Sequence, residues 1–309
     1  MGRYLALRLL YNIFALFLII TFTFFLMHAV PGGPFASVKQ LPESVLRNLE
    51  EKFHLNDPLW LQYVKYLGQV IRGDLGPSYK YENRTVNEFI IRGFPVSATL
   101  GAVAVSLSLA VGITLGVISA LNQNRWPDYL AATVAVLGFS VPSFILASLL
   151  MYLLAYKIKL FPTAMWGTPA HVVLPSLALA ALPTAFISRV VRSNMIEVLQ
   201  QDYIRTARAK GLPESSVIFK HALKNAILPV VTYLGPLIAG IFTGSFVIEK
   251  IFAIPGLGRD FVTAIYNRDY GLILGLTIFY AAFLMLMNLL VDLSYTLVDP
   301  RIKLTRKEV

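Results

Sequence analysis

Two stretches of this chain, Val96 to Leu121 and Tyr129 to Tyr156, contain no charged residue at all. Segments of that length and apolarity belong in hydrocarbon. There every backbone N–H and C=O must be paired within the segment or a closed barrel, and runs this long are helices. Leu9–Val30, Val172–Ile187, Ala226–Ile248 and Gly271–Val298 extend the pattern, the second of these shorter and interrupted by Pro175 and Pro183. Charged residues make up 14% of the chain, against about 25% in soluble domains. The expectation is an all-α integral membrane protein with six transmembrane helices.

The first span, over residues 1–30, has an apolar stretch of 22 residues from Leu9 to Val30 behind Arg3 and Arg8. That exceeds a signal-peptide core, and Met27-His28-Ala29 lacks the small residue a cleavage site needs, so the span is expected to be retained. Residues 31–94 form the one sizeable polar segment, with eight Lys or Arg and seven Asp or Glu. Pro42–Phe53 and Pro58–Ile71 read as short amphipathic helices opening on proline. The segment is too small for much core of its own and is expected to pack as a collar on the membrane part. Residues 95–298 form the core and 299–309 a tail.

Lys and Arg choose the orientation. With 31–94 set aside, one side of six spans holds fourteen and the other five (Lys157, Lys159, Lys250, Arg259 and Arg268). Positive charge stays inside, which puts both termini in the cytoplasm and the 31–94 and 250–270 segments outside. The net charge of +10 follows from the same bias. No basic run interleaved with exposed aromatics supports nucleic-acid binding.

Between Ser193 and Asn225 a polar, basic stretch interrupts the apolar chain. Ile196, Leu199, Tyr203 and Ala207 keep helical spacing. Gly211 stands where a helix takes its left-handed closing residue, and Pro213-Glu214 opens the next one. Ile218, Phe219, Ala222, Leu223 and Ala226 make a second apolar stripe. Two short helices breaking at a glycine on the water side suit a docking surface, or equally an interfacial helix held to anionic lipid.

Within that stretch Arg205-Thr206-Ala207, then Gly211, then Ala226-Ile227-Leu228-Pro229 resemble the EAA loop of ABC-importer membrane subunits. Arg205, Thr206 and Ala226 depart from the generic Glu, Ala and Ile, in the manner of peptide permeases. HLNDPLWLQY (54–63), GDLGPSYKY (73–81), FPVSATLG (94–101), VPSF (141–144), GSFVIEKIFAIPGLGR (244–259), NRDY (267–270) and the closing VDLSYTLVDPRI agree. Over nearly its whole length the chain is similar to the B-type membrane subunits of oligopeptide permeases.

The resemblance implies the type I ABC importer permease fold with cytoplasmic coupling helices. It implies an ATPase-coupling element at Tyr203, Arg205, Thr206, Ala207, Arg208, Ala209, Lys210 and Gly211. In that element Ala207, Ala209 and Gly211 would allow close backbone approach, and the basic residues would pair with acidic groups of the ATPase. The implied partners are a homologous second permease subunit, two cytoplasmic ABC ATPase subunits that bind ATP and Mg, an extracytoplasmic peptide-binding protein and peptide. The setting is the bacterial plasma (inner) membrane. Dipeptides, nickel complexes and heme are alternative cargoes.

Other constellations have a functional and a structural reading. Asp292 is the one acidic residue well inside a span and falls with Asn288 and Tyr295 at helical spacing. With Pro142 these are pathway or gate candidates, although a buried interhelical contact is the preferred reading for Asp292. Glu249, Pro255, Gly256 and Gly258 form an external loop near the substrate entrance, or a plain turn before a surface helix. His28, His54, His171 and His221 have no metal-ligand spacing, and cysteine is absent. No GxSxG or Walker A pattern occurs, so no catalytic residue and no cofactor is expected on this chain, and ATP hydrolysis is assigned to other subunits. An ion-coupled carrier or channel would need paired charges inside the membrane, and a hydrolase a nucleophile and base at matching depth.

Overall fold

The structure is a computed structural model that describes residues 2–35 and 42–298. The described residues are helical apart from turns and one isolated bridge, Pro77 to Thr85. In chain order the helices are α1 (Gly2–Ala29), α2 (Glu43–Lys52), α3 (Leu59–Ile71), α4 (Val86–Leu121), α5 (Trp126–Ser140) and α6 (Ser143–Leu150), which runs into a π-helical turn (Met151–Lys157). Then come α7 (Ala170–Leu199), α8 (Asp202–Ala209), α9 (Glu214–Ser216), a second π turn (Val217–Ala222), α10 (Leu223–Ala226), α11 (Leu228–Phe242), α12 (Phe246–Ile251), α13 (Leu257–Asn267) and α14 (Tyr270–Val298). The 299–309 tail lies outside the described residues.

Five of these spans are long and apolar enough to cross a membrane, and a sixth is a bent pair, α5 with α6 and its π turn, turning through 103°. The bend falls at Val141-Pro142. A residue before proline is driven out of the helical region, and Val141 is extended (φ −91°, ψ 116°). Whether this pair crosses or doubles back is decided by what its two ends touch. Asp128, at the start of α5, meets Arg192 late in α7. Ala147 and Ala155, beyond the bend, are buried with Leu100, Leu174 and Ile248, early in α4 and α7 and late in the α11–α12 span. The pair therefore runs from one end of the molecule to the other. Six crossings result, with the start of α1 and the end of α14 brought together where Arg8 pairs with Asp292.

The near end, which carries residues 200–227, is built on one cluster: Val117, Ala120, Val191, Met195, Ile204, Ala207, Val217 and Ala226. The far end has two. One surrounds Leu100, Leu174 and Ile248. The other joins Val86, Leu257, Leu272 and Leu276.

Lipid tails are as apolar as leucine, so helices in a bilayer are held by close packing rather than by burial. The α4–α7 contact shows how. Ala104, Ser108, Gly112 and Gly116 recur every fourth residue on α4, and all are buried. A Cβ on Gly112 would stand 2.9 Å from Ile187, and one on Gly116 2.7 Å from the carbonyl oxygen of Ser188. The Ser108 hydroxyl donates to the Ala104 and Ala180 carbonyls (2.7 and 3.3 Å).

Helix α4 starts at Val86, ten residues before the expected span at Val96. Thr85 accepts a hydrogen bond from the Glu88 backbone N–H (3.3 Å), a capping arrangement that sets the start. Likewise α7 runs through both prolines to Leu199, so Ile196 and Leu199 end a spanning helix rather than begin a polar one.

The collar is tied at two points. Phe24 and Phe25 of α1 pack on Tyr63 of α3, and Tyr63 and Thr21 share a hydrogen bond of 2.7 Å. Asp269, fully buried, accepts from the Ser78 hydroxyl, the Tyr79 N–H (2.9 Å) and the Leu272 N–H (3.2 Å), joining the 73–81 turn to the start of α14. Burial, with the Asp269 charge second, pushes the Tyr79 phenol up to about 12. Gly271 is required by the same junction, since a Cβ there would stand 2.0 Å from the Pro77 carbonyl oxygen.

Candidate functional site

At Gln200-Gln201 the chain leaves α7 and turns into α8, an amphipathic helix on the near end. Ile204 (0% exposed) and Ala207 (6%) face the cluster that also holds Val117, Val191 and Val217. Arg205, Thr206, Ala209, Lys210 and Gly211 face out. Gly211 closes the helix in the left-handed region (φ +73°), and nothing lies within 4 Å of where its Cβ would be. The helix break at Gln200 resets the phase of the stripe, so Ile204 and Ala207 share the buried face and Tyr203 stands 42% exposed beside them. Tyr203 accepts a hydrogen bond from Asn225 Nδ2 (2.7 Å), bracing α8 against α10. Phe219, expected in the second apolar stripe, is 64% exposed because the π turn carries it outward.

Two features of the expected docking surface change. Ala207 is turned into its own protein, leaving Ala209 and Gly211 as the small residues open to approach. Arg208 is bound within the chain, donating from Nε (3.2 Å) and Nη2 (2.6 Å) to Glu214 across the Gly211 turn. That pair raises the affinity of Arg208 for its proton and holds the Glu214 carboxyl below its ordinary value. Arg205, 3.7 Å from Asp202 and 73% exposed, and Lys210 are the outward cations.

At the far end Glu249 is fully buried. Its carboxylate accepts from Ser97 Oγ of α4 (2.8 Å) and from the Arg259 N–H (3.0 Å) at the start of α13. It thus acts as an anionic cap borrowed from another element. Ser97 Oγ in turn accepts the Leu257 N–H (2.9 Å). A Cβ on Gly256 would come within 2.5 Å of both Glu249 Oε2 and Ser97 Oγ, and one on Gly258 within 3.0 Å of that oxygen. Gly256 and Gly258 are buried and Pro255 is exposed, so Glu249 organises the loop from inside and Pro255 is its outward point. Asp260, on the first turn of α13, is pushed by burial up to about 6, Arg259 opposing.

The three described pathway candidates, Pro142, Asn288 and Asp292, do not converge on one cavity. Pro142 is exposed at the bend of the third span. Asn288 packs on α11, where a Cβ on Gly235 would stand 2.9 Å from its Oδ1. Asp292 faces α1 and pairs with Arg8, a partner some 280 residues away that spacing along α14 does not reveal. The side chain of Tyr295 lies outside the described residues. Sequence reasoning missed a second ion pair altogether. Asp128 (4% exposed) accepts from Arg192 Nε and Nη2 (both 2.7 Å), Ser119 Oγ (2.5 Å) and the Asn124 N–H (2.9 Å). Among the described residues no three His, Asp or Glu gather into a metal-holding group.

Residues 112–304 match the family described as "Binding-protein-dependent transport system inner membrane component", and residues 1–101 match its N-terminal component. The dipeptide transport system permease protein DppB of Bacillus subtilis is 52% identical over 99% of this chain and 100% of its own length. The oligopeptide transport system permease protein OppB of Haemophilus influenzae is 46% identical over 98% and 100%. Among solved structures, an amino acid ABC transporter with histidines superposes with a TM-score of 0.50 at 17% identity, covering 70% of this chain and 95% of that one. That last likeness is one of fold, the helical type I ABC importer permease fold. With six crossings, an outward amphipathic helix on the near end and matches from end to end, the chain belongs to the binding-protein-dependent transport system inner membrane components.

Proposed function

We propose that this chain is a pathway-forming permease subunit of an ATP-driven peptide importer. A homologous second permease completes the pathway, two cytoplasmic ATPase subunits bind ATP and Mg, and an extracytoplasmic binding protein delivers the peptide. The near end and both termini face the cytoplasm; the collar and the Glu249 loop face outward. The observation that carries the reading is α8. It is seated on the α4–α7 core through Ile204 and Ala207 and presents Arg205, Thr206, Ala209, Lys210 and Gly211 to a partner. A push on a helix packed in this way moves the spans behind it, and alternating access needs such a link.

Oligopeptides are the proposed cargo, on the resemblance of the whole chain to B-type permeases. Dipeptides are the second reading, favoured by the 52% identity to a dipeptide permease against 46% to an oligopeptide one. Proteoliposomes carrying all subunits test both. ATP-dependent uptake competed by tetra- and pentapeptides better than by dipeptides supports the first, and the reverse order the second. Lys210→Glu and Gly211→Asn probe the link itself, since Lys210 is exposed and asparagine tolerates the left-handed backbone at 211. Both variants are expected to insert normally and lose uptake together with peptide-stimulated ATP hydrolysis. Unchanged uptake refutes the coupling role. Ala207→Glu is a poorer probe, because it buries a charge.

A further inference from the structure

We propose that the groove between α4, α5 and α7 is a site for one anionic phospholipid, with its phosphate on Arg189 and an acyl chain along α5. The argument starts from two arginines one turn apart on α7. Arg192 is bound by Asp128 through two hydrogen bonds of 2.7 Å. Arg189 is exposed and lies 5.4 Å over the Phe139 ring, and no carboxylate among the described residues is within ion-pair distance of it. Arg189 follows the apolar run Val172–Ile187 by two residues, the level at which a basic side chain meets lipid headgroups and attracts anionic lipid.

Arg189 opens onto a cavity of about 290 Å³ lined also by Asn124, Tyr129, Val136 and Ser188. The one carboxylate there, Asp128, already has Arg192, Ser119 and the Asn124 N–H as donors. The lining is therefore left with one unneutralised positive charge. Ala135 and Ser188 also line an adjoining groove of about 200 Å³ walled by Leu107, Val111, Val134, Gly138 and Ala181. Trp126 (73% exposed) and Tyr129 (63%) stand at the start of α5, the kind of amphipathic rings that mark a membrane–water boundary. A cationic pocket at that level beside a nearly all-apolar groove has the polarity of a phospholipid. A route for varied peptides would keep polar walls.

The test uses the full chain in detergent, stripped of lipid and then offered palmitoyl-oleoyl phosphatidylglycerol or the phosphatidylcholine with the same chains, with retention read by native mass spectrometry. One basic contact to an anionic lipid corresponds to a roughly fivefold preference. The expected result is one phosphatidylglycerol retained with about that preference, lost in Arg189→Gln and kept in Arg189→Lys. Val134→Trp, from an exposed position, is expected to fill the groove and reduce retention of both lipids. Equal retention of the two lipids, or an unaffected Arg189→Gln, overturns the proposal, as does displacement of the lipid by inorganic phosphate. The chain has no cysteine, so Leu137→Cys supplies a single cross-linking point in the assembled complex. Efficient cross-linking of that residue to a second permease subunit would assign the groove to the subunit interface and overturn the lipid reading.

Discussion

Asp128 on the first turn of α5 grips Arg192 on α7 with two parallel hydrogen bonds of 2.7 Å. The bond joins two helices 64 residues apart in sequence at the end where α8 is seated. Asp128 is buried but the Arg192 side chain is 34% exposed, so breaking the pair costs less than the about 3–5 kcal/mol of a fully buried one. Asp128→Asn keeps the shape but not the charge and is expected to lower stability in detergent by about 1–3 kcal/mol, with Arg192→Gln acting in the same direction. The double variant is expected to lose less than the sum. Thermal unfolding of the four proteins measures this; simple additivity would mean the pair carries no coupling.

The small-residue stripe on α4 gives a sharper contrast. Gly116→Ala puts a methyl 2.7 Å from the Ser188 carbonyl oxygen and is expected to destabilise by about 1–3 kcal/mol. Gly240→Ala on α11 meets nothing within 4 Å and is expected to stabilise by about 0.5–1 kcal/mol through the unfolded chain. Melting both variants in the same detergent checks the opposite signs.

Arg8 and Asp292 connect α1 to α14. A double-mutant cycle with Arg8→Gln and Asp292→Asn is expected to give a coupling energy of about 0.5–3 kcal/mol, with cargo preference unchanged. A cycle that closes at zero, or a shift in peptide preference with Asp292→Asn at unaltered melting temperature, would move Asp292 from packing to the pathway.

Asp260 predicts a pH dependence at the far end. Its folded pKa, about 6, lies above the ordinary value of 3.8 because burial disfavours the charged form. The folded state therefore binds the proton more tightly than the unfolded one. Asp260 favours folding below about pH 4 and loses that contribution as pH rises through about 6. Asp260→Asn is expected to flatten this part of the stability–pH curve and to raise the melting temperature at pH 7.5 relative to the parent. An unchanged slope between pH 4 and 7 would refute the shift.

The features legible in the sequence were those written locally. Uncharged runs mark the spans, and Gly211 followed by Pro213 marks the end of α8, because left-handed glycine and proline punctuation act within a few residues. Rotation of α8 was not legible. The stripe drawn from Ile196 to Ala207 assumed an unbroken helix, and the turn at Gln200-Gln201 put Ile204 on the buried face. The early start of α4 has a local signal, Thr85 three residues before Glu88, which is a matter of capping and not of apolar length. The contacts of Asp128 with Arg192, Arg8 with Asp292 and Glu249 with Ser97 join residues 64 to 284 positions apart, and no spacing rule reaches that far. The same is true of the 103° turn at Pro142: proline announces a break, but only the neighbours on either side fix its angle.

That turn has a mechanical consequence. The stretch before Pro142 is fastened at Asp128 and Gly138 to α7, while the stretch after it is fastened at Ala147 to the cluster around Leu100 and Ile248. A single rod spanning the bilayer would drag its outer half whenever its inner half tilted. A jointed one lets the two halves tilt by different amounts, each following the neighbour it is fastened to.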